Sequence, residues 1–307
     1  GTFLAYIHDL FEPIRDIVEK YNIFQGAMAS SERVFSLLNE QPEAGLPGSQ
    51  LFQKISKEEV GGAIQFENVW FSYTGSEYVL KDMSFRIEPG QSVALVGVTG
   101  SGKTSIASVL TRLYEIQKGA IWLDGTDIRN IEKTALRSII GLVSQDVFLF
   151  SGNLRDNITL FNPIADAKVI ETVKSLGLMP FINRMQDGLN TRISERGANL
   201  SVGERQFISL TRIILYNPCI IILDEATSSM DPISEVLIQD ALQKVTQGRT
   251  SLFIAHRLST ILHCDKIIVL SKGEKIEEGN HETLLKTGGL YSQLYKIYIK
   301  DELALRA

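Results

Sequence analysis

Residues 92–110 read SVALVGVTGSGKTSIASVL. The first five form a short apolar run, the pattern of a strand buried on both faces, and a glycine-rich turn stops it. Past the turn, KTSIASVLTRLY reads as a helix. Between strand and helix, GVTGSGKT, Gly97 to Thr104, fills every position of the pattern GxxxxGKS/T in the setting that pattern requires. Its glycines let the backbone N–H groups of Gly97, Val98, Thr99, Gly100, Ser101 and Gly102 turn toward phosphate oxygens. The helix start, running through Ser105, contributes roughly half a positive charge, and the Lys103 ammonium adds a full one. Thr104 can then bind Mg²⁺ through its hydroxyl. The loop is built for the β- and γ-phosphates of a nucleotide.

Two later strands bear on the same chemistry. CIIILD ends in Asp224, a carboxylate at the carboxyl end of a buried strand, where it can hold a Mg²⁺-bound water beside the loop. Glu225, one residue on, can polarise an attacking water as general base. SLFIA is followed by His256 on the same expected edge of the sheet, where a neutral imidazole can contact the γ-phosphate and orient Glu225.

Around these segments strands alternate with helices, which predicts a mainly parallel sheet flanked by helices, an α/β fold with a P-loop core. AIQFENVWFSY and MSFRIE, ahead of the loop, predict an added antiparallel β subdomain, and residues 146–217 predict an inserted, mostly helical one. Residues 2–39 place apolar side chains at three- and four-residue steps and predict a long amphipathic helix, kinked near Pro13. NEQPEAGLPGSQ behind it suits a linker. The expected organisation is therefore helix 1–39, linker 40–61, α/β domain 62–285 and C-terminal helix 286–307. The chain opens without Met and is expected to be a piece of something longer.

Composition narrows the function classes. Of 307 residues 44% are hydrophobic, the net charge is −5 and no Lys/Arg cluster occurs, which argues against a nucleic-acid surface. Cys219 and Cys264 lack CxxC spacing and are expected to be reduced thiols. No run reaches the roughly 18 apolar residues of a membrane span.

One stretch reads two ways. NLSVGERQ, Asn199 to Gln206, has a serine three residues before a glutamate and an apolar run behind it, a capping box between Ser201 and Glu204. Gly203 is a poor choice for a first helical turn unless something approaches the backbone closely.

Together these residues resemble one family, the nucleotide-binding domain of ABC transporters of the exporter type. GVTGSGKT resembles its Walker A motif, CIIILDE its Walker B with the catalytic glutamate, and NLSVGERQ its signature. Gln145 resembles the Q-loop glutamine, the SSMD segment ending in Asp231 the D-loop, and IAHRLST the switch histidine segment. The likeness covers residues 62–285, with the motifs in the family's order. It implies that Lys103, Glu225 and His256 serve catalysis, that Thr104, Gln145 and Asp224 hold Mg²⁺, and that Tyr73 stacks on the adenine of ATP. Phe71 and Tyr73, two residues apart, are expected on one strand face. It further implies a second ATPase domain, the same chain or a paralogue, whose ATP is met by Ser201 and Gly203, and it makes Asp231 a nucleotide-binding residue. The amino-terminal helix resembles the cytoplasmic end of a last transmembrane helix, which implies a membrane domain with coupling helices, touched through Glu195. The expected place is the cytoplasmic face of a membrane, as in the bacterial inner membrane. The signature reads LSVGE where LSGGQ is commonest, and Val98 stands where Pro is frequent; neither change removes a phosphate-binding group. A non-transport ABC ATPase would show coiled-coil insertions or tandem domains, and a binding-only domain commonly lacks the base that Glu225 supplies.

Overall fold

The computed structural model describes residues 2–40, 55–144, 146–224, 232–254 and 258–306. Two compact units emerge, Gly1–Ala44 and Gly45–Ala307. The first is helix α1 (Thr2–Leu38), which carries Pro13 inside it and exposes the apolar residues that set its period, Phe11, Ile14, Tyr21 and Phe24 among them. Among the described residues no helix is long and apolar enough to cross a membrane.

The second unit begins with strands β1 (Ile64–Phe71), β2 (Leu80–Ile87) and β3 (Ser92–Val96), then helix α2 (Lys103–Leu110). Next come β4 (Lys118–Leu123), β5 (Thr126–Asp127), α3 (Lys133–Ile139) and β6 (Ile140–Val143). A mostly helical stretch follows: β7 (Gly152–Asn153), α4 (Leu154–Thr159), α5 (Asp166–Leu176), α6 (Met179–Arg184), β8 (Arg192–Ile193) and α7 (Val202–Tyr216). The chain then returns through β9 (Ile220–Asp224), α8 (Pro232–Thr246), β10 (Thr250–Ile254), α9 (Leu258–Leu262), β11 (Lys266–Ser271) and β12 (Glu274–Gly279) to α10 (His281–Thr287) and α11 (Leu290–Arg306).

Among the described residues the main sheet has the order β12-β11-β3-β10-β9-β6, parallel except for β12, and a second sheet has the antiparallel order β2-β1-β4-β5. Strand β3 is continuously apolar because both its faces are covered; Val93, Ala94, Leu95 and Val96 are fully buried. The antiparallel sheet shares one core with β3, α2 and α3, whereas α4, α5, α6, α7 and α8 close over β6 and β9 in another.

Helix α7 is tied to the helical region by polar bonds as well as packing. The half-buried Arg212 donates to the carbonyl of Asn157 (2.6 Å) and that of Phe148 (3.0 Å). Burial pushes this guanidinium down to about 10. Asn157, fully buried, accepts the N–H of Phe150 (2.9 Å) and donates to the carbonyls of Phe150 (2.9 Å) and Asn153 (3.0 Å). These bonds join residues 148–157 to the second half of α7.

Candidate nucleotide site

Sheet register sets the site. Ile254 at the end of β10 pairs with Leu95 on one side and with Asp224 on the other, so the carboxyl ends of β3, β10 and β9 lie level. The loop Gly97 to Gly102 leaves the sheet at that edge and enters α2. Gly102 caps the helix in the left-handed conformation, φ 102°, and a Cβ there would come within 2.7 Å of Leu80 Cδ2, so a side chain is excluded on both grounds. From behind, the loop is pinned by the β11–β12 turn: Gly273 N–H donates to the Ser101 carbonyl (3.2 Å), and the Gly273 carbonyl accepts Lys81 N–H at the start of β2 (2.8 Å).

Lys103 is buried and donates to the carbonyls of Gly97 (2.7 Å) and Val98 (3.1 Å). Burial pushes its ammonium below the ordinary lysine value, and the Asp224 charge pulls the other way. A buried cation that donates to carbonyl oxygens, beside the exposed residues Val98, Thr99 and Gly100, suits an incoming anion. The Ser101 hydroxyl is buried against Gly97, without a hydrogen-bond partner among the described residues. Thr104 Oγ1 and Asp224 Oδ2 stand 3.5 Å apart, two oxygen donors of the kind Mg²⁺ takes. The residues fit a nucleotide phosphate chain with its metal.

Tyr73 lies just past β1. The strand stops at Phe71, which is 1% exposed, and Tyr73 beyond it is 46% exposed. Their rings nevertheless meet edge to face at 4.7 Å, and the Tyr73 hydroxyl lies 3.1 Å from the Ser105 hydroxyl in the first turn of α2. A second exposed ring, Tyr114, stands perpendicular to Tyr73 at 4.9 Å. The sequence reading missed Tyr114 by counting it into the helix, which ends instead at Leu110 because Arg112 takes a left-handed φ of 50°.

Ser201 caps α7 in the expected box: its hydroxyl accepts Glu204 N–H (3.2 Å) while the Glu204 carboxylate accepts Ser201 N–H (2.8 Å). Ser201 is exposed, and Glu195 is exposed in the turn before it. At Gly203 the close approach comes from the same chain. A Cβ there would lie 3.0 Å from Ser234 Cβ in α8 and 3.6 Å from Phe181, so helix packing already accounts for the glycine. Gln145, Glu225, Asp231 and His256 lie outside the described residues.

A parallel sheet whose central strand runs through this loop into a helix defines a P-loop nucleotide-binding domain. Comparison with known proteins makes the assignment narrower. A family model described as ABC transporter matches residues 80–228. The chain is 45% identical over 296 residues to an uncharacterised ABC transporter ATP-binding protein, YknV, of Bacillus subtilis (strain 168), covering 96% of this chain and 48% of that protein. It is 45% identical over 301 residues to the ATP-dependent lipid A-core flippase of Legionella pneumophila (strain Paris), covering 97% and 50%. It superposes with a TM-score of 0.79 and 33% identity on a bacterial Atm1-family ABC exporter with ATP bound, covering 95% of this chain and 50% of that one. The chain belongs to the ABC transporter family, as an ATP-binding domain. It spans about half the length of the curated relatives it matches.

Proposed function

We propose that this chain is the ATP-hydrolysing motor of an ABC exporter half-transporter, working as a pair around two ATP molecules at the cytoplasmic face of a membrane. One observation carries the reading: Lys103, Thr104 and Asp224 converge at the level carboxyl ends of β3, β10 and β9. ATP would draw the Lys103 ammonium from the Gly97 and Val98 carbonyls onto its β- and γ-phosphates. Thr104 and Asp224, with Gln145, would hold Mg²⁺, which supplies charge neutralisation at the phosphates. Glu225 takes a proton from the attacking water, and His256 holds the γ-phosphate and Glu225 in register. Tyr73 stacks on adenine.

Two surface features support partners. Ser201 stands exposed at a helix start whose N–H groups suit a phosphate on a second copy or a paralogue. Phe148, Phe150 and Phe161 form an exposed aromatic row, with centroids 5.1 and 5.6 Å apart, of the kind that docks an apolar helix of a membrane domain. The test is Glu225→Gln. It is expected to keep ATP binding, stop turnover and yield an ATP-dependent dimer on size-exclusion chromatography. Hydrolysis near the parent rate would remove Glu225 as base.

A further inference from the structure

We propose that Tyr114 is a positioning residue that sets the plane of the adenine-stacking ring of Tyr73. The inference rests on the reading of Tyr73 as the base platform. A ring that is 46% exposed and lies just past a strand end has no backbone ladder to hold it. Three contacts supply what the strand does not. Phe71, fully buried, meets the ring at 4.7 Å and 77°, Tyr114 meets it at 4.9 Å and 88°, and the Ser105 hydroxyl holds the phenol at 3.1 Å. Ser105 holds the ring's tip. Phe71 and Tyr114, both near perpendicular to the ring, bear on its plane, Phe71 from the core and Tyr114 from the surface. Near-perpendicular packing is the arrangement that aromatic quadrupoles favour, so the contact is directional and not merely apolar.

Tyr114 itself is well held. It follows Arg112, whose guanidinium is fixed by the carbonyls of Ile128 and Ile131, each at 2.9 Å, and it meets the buried Phe71 ring at 5.8 Å. A platform whose plane is fixed before the base arrives loses less freedom on stacking, so the effect is confined to ligands that carry a base.

The experiment uses calorimetric titration of the 307-residue chain with MgATP and, as a probe without a base, magnesium tripolyphosphate. Tyr114→Leu keeps apolar bulk and removes the ring. It is expected to weaken ATP about threefold to tenfold and leave tripolyphosphate affinity unchanged, while Tyr114→Phe binds ATP like the parent. Tyr73→Ala is expected to weaken ATP by about tenfold or more, and adding Tyr114→Leu to it should cost nothing further. ATP affinity unchanged in Tyr114→Leu, with Tyr73→Ala weakened, would overturn the role of Tyr114 and leave stacking intact. Equal losses for ATP and tripolyphosphate, or additive losses in the double variant, would also overturn it. ATP affinity unchanged in Tyr73→Ala would instead remove the platform on which the proposal stands.

Discussion

The Thr104 hydroxyl of α2 and the Asp224 carboxylate of β9 stand 3.5 Å apart across 120 residues of sequence. Neither position alone marks a metal site, but the parallel register of β9, β10 and β3 brings them to one edge. Asp224→Asn keeps the shape and removes the charge. It is expected to raise the Mg²⁺ concentration for half-maximal ATP hydrolysis by about tenfold to a hundredfold. A Mg²⁺ titration of turnover that overlays the parent's would remove Asp224 from the metal site.

Lys103→Ala deletes the one charge that the loop holds by its carbonyls. Turnover is expected to fall by at least about a hundredfold, because the donor acts where charge develops in the transition state. The variant should also melt no lower than the parent without nucleotide, since burial already disfavours the Lys103 ammonium. Differential scanning fluorimetry with and without MgATP separates the two statements. Retained turnover would sink the first, and a lower nucleotide-free melting temperature the second.

Asn157→Ala leaves the partly buried N–H and carbonyl of Phe150 without their side-chain partner and strips one acceptor from Arg212. A loss of about 2–3 kcal/mol is expected, the cost of orphaned buried polar groups. Urea unfolding measures it, and a midpoint within error of the parent would show that water replaces the side chain.

The Ser201 helix start is tested by mixing chains. One carries Lys103→Ala and the other Ser201→Arg. If Ser201 faces ATP held by the Lys103 loop of a second copy, each mixed dimer has one doubly defective and one intact site, and tight ATP binding returns. If Ser201 acts within its own chain, every site keeps a defect. Binding is the readout, because coupled sites need not turn over singly. No recovery in verified mixed dimers counts against the arrangement in trans.

The central strand, the phosphate loop and the capping box were legible because each is local: apolar run, glycine spacing and Ser-x-x-Glu are written in consecutive residues. What escaped was set by distant groups. Helix α2 was expected to reach Tyr114 because its apolar spacing continues, yet Arg112 leaves helical geometry to bond the carbonyls of Ile128 and Ile131. Gly203 was legible as a point of close approach, but its neighbour Ser234 lies 31 positions on, in α8. Alternation put Phe71 and Tyr73 together, and their rings do meet, but it did not show that β1 ends between them and leaves Tyr73 half exposed.

The bonds Ser101–Gly273–Lys81 make Gly273, in the β11–β12 turn, the middle rung between the phosphate loop and the antiparallel sheet. A nucleotide that stiffens the loop should stiffen that rung through Ser101, so the clearest sign of occupancy is expected away from the ligand. Amide exchange at Gly273 and Lys81 should slow together when the loop is filled, and the antiparallel sheet should behave as a gauge of what the loop holds.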